Sequence, residues 1–166
     1  MACATQARGE PYVAVEPKRS YDNVPIQVDW HDYLARIWQP GAAQSASTAI
    51  RLPRAQSTGL QYRALADGVT GRRQPRWPLV VGGQVSDGQV TWVAEEITPD
   101  SLRTSILSDG WAPVIGLVFG ASASADLIFT QFVDGGVSGE TYEVKHQIIC
   151  ANGEEKEAVA LLLVED

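Results

Sequence analysis

Along much of the chain, large apolar residues alternate with polar ones at a period of two, the repeat of a strand with one buried face. In "NVPIQVDWHDYL", Val24, Ile26, Val28 and Trp30 fall on one side, which predicts a strand running through this stretch. Ile115, Leu117 and Phe119 alternate in the same way. Leu127, Phe129 and Gln131 then oppose Ile128, Thr130 and Phe132, so the small residues 120–124 are expected to turn the chain between two strands. The clearest pattern closes the chain. "TYEVKHQIIC" places Tyr142, Val144, His146, Ile148 and Cys150 on one face and Glu143, Lys145, Gln147 and Ile149 on the other. Asn152-Gly153 supplies a turn into "EAVALLLVED", and Tyr142 and Leu161 are expected in the core of the resulting hairpin. Gly135, Gly136 and Gly139 form the loop that leads into it. Short strands joined by turns rather than helices predict an all-β fold, an antiparallel immunoglobulin-like β-sandwich.

The middle of the chain follows other rules. Residues 39–59 are small and polar and are punctuated by Pro40, Gly41, Pro53 and Gly59, a loop with one short strand at 48–52. In "PRWPLVVGGQVSDGQVTW", Asp87-Gly88 between Val85 and Val90 is a strong hairpin signal, read as the two central residues of a type I′ turn that pairs 84–85 with 89–92. Pro75 and Pro78 stiffen the segment around Trp77 and exclude it from a central strand, so it should pack as a strap. Tyr62, Trp77 and Trp92 are either an aromatic platform for a sugar or the core of a small module; with few other large side chains nearby, they are read as the core. Thr98, Pro99 and Asp100 fit a helical turn as well as a strand containing Ile97. Residues 1–20, with Pro11 and Pro17 and little periodicity, read as an extended arm that orders on a partner.

Composition narrows the function classes. A chain of 166 residues, 45% hydrophobic and 20% charged, can bury a real core, and no apolar run approaches the ~18 residues that cross a bilayer. No membrane contact is therefore expected, and the first residues show neither a secretory nor a transit pattern, which points to folding in a cytoplasm. Cys3 and Cys150 lie at opposite ends and read as two thiols rather than a disulfide. The net charge of −7 argues against nucleic acid as a partner. That charge is uneven. Residues 61–92 set Arg63, Arg72, Arg73 and Arg76 against Asp67 and Asp87, whereas residues 93–166 hold three basic and thirteen acidic residues. Arg72, Arg73 and Arg76 are the candidate partner-binding residues, joined by Tyr12 and Val13 of the arm, and a head-to-tail contact between copies would use the asymmetry. His31 and His146 are the only histidines, and no third ligand recurs at a useful spacing. No GxSxG, HExxH, Walker or GxGxxG arrangement occurs, so no catalytic residue, cofactor or metal is expected.

Two resemblances add to this. "VDWHDYL", "ITPDSLRTSILSDGW" and "GGVSGETYEVKHQIICANGEEKEAVALLLV" resemble a family of small bacteriophage virion proteins, the fibre–tail adaptors and minor head–neck components, through Asp29-Trp30, Ile97, Trp111, Gly135-Gly136, Gly139, Tyr142 and Gly153. Between these parts, "YRALADGVTGRRQPRWPLVVGGQVSDGQVTW" is similar to a short module of phage tail, baseplate and fibre proteins. The matching positions are Tyr62, Gly68, Thr70, Gly71, Pro75, Trp77, Pro78, Gly83, Asp87, Gly88, Val90 and Trp92, and the basic "GRRQPR" departs from the usual small, neutral form. The resemblances imply a sandwich from residues 21–37 and 96–166, with residues 38–95 inserted as a loop and Trp-containing hairpin module. They also imply a non-enzymatic virion protein that adapts fibres or other components at the neck or tail, with capsid decoration and carbohydrate binding as the alternatives. Its expected partners are portal, neck, tail, fibre or capsid proteins and other copies of itself in a symmetric assembly.

Overall fold

The computed structural model describes residues 11–15, 17–20 and 22–165; Cys3, residues 1–10 of the expected arm and the side chain of Tyr12 lie outside them. In chain order the first strands are β1 (Tyr12–Val15), β2 (Lys18–Arg19) and β3 (Val24–Asp29), followed by the helical turn α1 (His31–Leu34). Next come β4 (Ala43–Gln44), β5 (Ala49–Ile50), β6 (Gln61–Ala64), β7 (Gly68–Val69), β8 (Gln84–Asp87) and β9 (Val90–Glu95). The last five are β10 (Ile106–Trp111), β11 (Leu117–Ala125), β12 (Ile128–Gly135), β13 (Thr141–Cys150) and β14 (Glu155–Glu165). The protein is all-β and sandwich-like, and it divides into two compact units. Unit 1 takes the chain up to Tyr33 and again from Thr104; unit 2 is Leu34–Arg103 and interrupts the connection from β3 to β10.

Unit 1 holds two four-stranded sheets, β1-β3-β12-β11 and β10-β13-β14-β2. Alternation puts Val24, Ile26 and Val133 of the first and Val144, Ala160 and Leu162 of the second into one shared core. The hairpin of β13 and β14 runs in unbroken register from Thr141↔Leu163 to Ile149↔Glu155. Its inward face on β13 is the expected one, with Val144, His146, Ile148 and Cys150 buried. On β14 the expectation is off by one position: Leu162 is fully buried and Leu161 is 63% exposed, because the period-2 register that buries Ala158 and Ala160 must turn Leu161 outward.

Three further expectations change. Residues 120–124 do not turn; they continue β11, and the chain reverses at Asp126, which takes a positive φ of 51°. What resembled a turn is a bulge, where the register shifts between Phe119 and Ser122 and the buried Gln131 amide donates to the carbonyls of Gly120, Ala121 and Phe132. The predicted strand ends at Asp29, whose Oδ1 accepts from the backbone N–H of His31 at 2.8 Å and starts the α1 turn. The described part of the arm is built into the sheets: β1 pairs β3 through Tyr12↔Asp29 and Val13↔Val28, and β2 pairs β14 in parallel. Lys18 is fully buried there, donating to the carbonyls of Arg19 and Asp22 with Asp134 Oδ1 at 3.8 Å.

Unit 2 is built from shorter pieces. Its sheet runs β5-β6-β9-β8, with a separate β4-β7 ladder. The short strand expected at 48–52 is β5, and of the two readings left open at Thr98, helical turn or strand, the turn forms: a 3-10 turn, Pro99–Ser101, with the Thr98 hydroxyl accepting from Asp100. The two ends of the unit meet: Ala35 bridges Leu102, and the N–H of Arg103 donates to the carbonyl of Leu34 at 2.8 Å. Its core, Ile50, Leu52, Tyr62, Ala64, Trp77, Val90, Trp92 and Ala94, comes from within the unit.

Candidate interaction surface

The hairpin of β8 and β9 pairs Val85 with Trp92 and Asp87 with Val90, so the two turn residues are Gly88 and Gln89, one position later than expected. Gly88 stands first in the turn with a φ of +64°, the position that type II′ hairpins reserve for glycine, and a Cβ there would lie 2.5 Å from the carbonyl oxygen of Val69. The shift frees the carboxylate of Asp87 to turn inward. Buried, its Oδ2 accepts from Trp38 Nε1 at 2.7 Å and Trp92 Nε1 at 3.1 Å, and its Oδ1 accepts from the backbone N–H of Gly71 at 2.8 Å. One carboxylate thus fixes two indoles and the loop after β7, and charge-assisted bonds of this kind are about twice as strong as neutral ones.

Trp77 rests on that frame. Its ring centroid is 4.4 Å from Tyr62, 6.1 Å from Trp92 and 6.5 Å from Trp38. The Tyr62 hydroxyl donates to the carbonyl of Pro78 at 3.0 Å and lies 2.7 Å from the hydroxyl of Thr58, which ties the proline strap to the sheet; burial pushes the phenol's pKa up, against the opposing pull of Thr58. Thr70 adds a second tie, donating to the carbonyl of Gln39 and accepting from the N–H of Ala42. Tyr62 and Trp92 are fully buried and Trp77 is nearly so, which leaves no ring face for a saccharide to stack on. The tryptophans are held by the unit rather than offered to a ligand.

What the unit does offer lies beside the strap. Arg72, Arg73 and Arg76 are all exposed, as expected, and none forms an ion pair with a described residue. Leu79, Val80 and Val81 follow Pro78 and are 75%, 68% and 60% exposed. These three form a fixed tip: the N–H of Gly83 donates to the carbonyl of Val80, that of Gly82 to Ala94, and that of Ala94 back to Gly83. The sequence reading passed over this tip, although three consecutive large aliphatics in a segment that Pro78 keeps out of the sheet were a usable signal. Val13 sits in a strand rather than on a loose arm: it pairs with Val28 and is half-buried against the unit 1 core.

In unit 1, the face that alternation gives to Val144, His146 and Ile148 turns inward. His146 is fully buried, with Trp111 and Phe129 at 4.6 and 4.7 Å between ring centroids. Trp30 Nε1 donates to its Nδ1 at 3.0 Å, which assigns the ring proton to Nε2, 3.5 Å from Asp109 Oδ2. Burial holds the imidazole pKa below the usual histidine value, with Asp109 pulling the other way. Among the described residues, no group of three or more His, Cys, Asp or Glu side chains is placed to hold a metal ion. No described helix is long and apolar enough to cross a membrane. Comparison of the chain with protein-family models, with curated proteins and with solved structures finds no match. The phage resemblances therefore rest on the quoted residues alone.

Proposed function

We propose that this chain is a non-enzymatic structural protein of a bacteriophage particle, an immunoglobulin-like adaptor that joins fibres or other components at the neck or tail. The observation that carries the reading is how the similar positions of the inserted module are used. Thr70, Gly71, Asp87 and Trp92 form hydrogen bonds to other parts of the unit, Tyr62 and Trp77 stack, Pro78 receives the tyrosine hydroxyl, and Gly88 admits the β7 loop. A pattern spent on internal rigidity suits a part that transmits position between other proteins. It does not suit one that turns over a substrate.

The strand order supports the immunoglobulin-like part of the reading. Sheets β1-β3-β12-β11 and β10-β13-β14 follow the A-B-E-D and C-F-G arrangement, with β2 added to the last strand in parallel, and unit 2 occupies the B–C connection. Tyr142, near the start of β13, accepts from the N–H of Val137 at 3.0 Å through its hydroxyl, the bond of a tyrosine corner. The test is labelling of the phage particles encoded with this chain by an antibody raised against it. Label at a single vertex supports the adaptor, label over the whole shell supports capsid decoration instead, and unlabelled particles that contain no copy of the chain overturn both.

A further inference from the structure

We propose that the chain assembles head to tail, with the basic apolar tip of unit 2 in one copy docking on the outer face of β13 and β14 in the next. This deepens the structural-protein reading, on which it rests for its setting, and names a second copy of the chain as the partner of the tip. Among the described residues, two groups of exposed aliphatics lie together in the chain and carry the proposal. The tip, Leu79, Val80 and Val81, is closed by a turn on the Val80 carbonyl and followed by Gly82 and Gly83, which are tied to Ala94 of β9, so the chain on its C-terminal side is already ordered before docking. The second surface is the outward row of β14, Val159, Leu161 and Leu163, which are 43%, 63% and 42% exposed. These three repeat every second residue along a single strand, a stripe of about 14 Å at strand rise. An apolar row of this kind on the outside of a sheet marks a docking face.

Charge selects the occupant. Unit 2 carries eight arginines against five acidic residues, and unit 1 carries all the rest of a chain whose total is −7, which leaves it at −10. The same division holds at the two surfaces. Arg72, Arg73 and Arg76 precede the tip with no ion pair to a described residue. Around the stripe, Glu143 stands opposite Leu161 in the ladder and Glu155 opens β14, both exposed and neither within ion-pair distance of a described cation, whereas Glu157 is engaged by Lys145 at 3.0 Å. An apolar tip beside three cations therefore faces an apolar stripe flanked by two carboxylates that form no ion pair with a described residue. Because the two patches differ, the contact is heterologous, and repeating it yields a ring or a filament rather than a closed pair.

Two full-length variants test this. Val80→Asp spoils the tip and leaves the stripe; Leu161→Asp spoils the stripe and leaves the tip. Both positions are exposed, so both variants should melt at the wild-type temperature. In sedimentation velocity the wild type is expected to form species larger than a dimer that dissociate as salt is raised. Each variant alone should associate at least roughly tenfold more weakly, and the two mixed should form a heterodimer and nothing larger, since one intact tip and one intact stripe remain. Charge gives a second readout: R72E/R73E/R76E should lose association and regain it when E143R and E155R are added. A monomeric wild type, a mixture that stays monomeric, or variants that associate as the wild type does would overturn the proposal. Particles lacking the chain would remove the proposed function and leave this result standing.

Discussion

The two units solve the same problem of burying a face with different materials. Unit 1 uses length: its longest strands run to nine, eight, ten and eleven residues, and alternation delivers an aliphatic cluster from both sheets, with Trp30, Phe129 and His146 buried in the same unit. Unit 2 has no strand longer than six residues, and a short sheet with so little ladder is marginal on aliphatic burial alone. It concentrates its stability in three tryptophans, a tyrosine and one buried carboxylate. Distributed burial tolerates local change. A core keyed by one polar group does not.

That contrast predicts unequal fragility. Asp87→Ala should be the most damaging change, about 3 to 5 kcal/mol, because it leaves two indole N–H groups and the Gly71 amide without their acceptor in a buried site. In denaturant titrations followed by tryptophan fluorescence, with hydrogen exchange resolving the units, unit 2 should open while β13 and β14 stay protected. Simultaneous loss of both would break the comparison. Leu162→Ala should cost about 3 kcal/mol in unit 1, whereas Leu161→Ala should stay within about 0.5 kcal/mol, as its exposure requires. Equal costs at the two neighbours would contradict the β14 register. Gly88→Ala should cost about 2 kcal/mol, through its positive φ and the close carbonyl of Val69, measured as a lowered unit 2 transition.

The smallest expected effect is a pH dependence confined to one unit. His146 has a folded-state pKa below its ordinary value, so as pH falls through the ordinary histidine range the unfolded chain takes up a proton that the folded chain refuses. Unit 1 is therefore fully stable above that range and loses stability below it, as protonation also removes the acceptor for Trp30 Nε1. Unit 2 contains no histidine and should melt unchanged between pH 7 and 6. His146→Phe should flatten the unit 1 slope; a slope that persists would place the titration elsewhere.

The same contrast explains what could be read from the sequence. The strands β3, β12 and β13 were legible because period-2 alternation acts over many residues, and the inward faces of Val24, Phe129 and Val144 follow from it. Leu161 was misread because "ALLLV" is apolar at every position, and only the register with β13 decides which leucine is inside. Residues 120–124 have turn-like composition, but Gln131, ten residues later, satisfies the bulge, and a local window cannot see that bond. The role of Asp87 was hidden by its own turn signal: Asp-Gly marked the hairpin, yet the carboxylate's partners, Trp38 and Gly71, are far away in sequence. Of the candidate residues, Arg72, Arg73 and Arg76 are exposed as expected, because no pairing signal surrounded them. Val13 was read as part of an extended arm because two prolines obscured a strand that its partner β3 determines.

The central claim is that unit 2 forms its own core around Asp87. The most direct measurement is the amide and indole NMR spectrum of residues 34–103 expressed alone, whose ends already meet through Arg103 and Leu34. The account predicts dispersed resonances, with the Trp38 and Trp92 indole protons protected from exchange and Asp87→Ala exposing both. A collapsed spectrum with freely exchanging indoles, from a fragment whose full-length parent is folded, would contradict it.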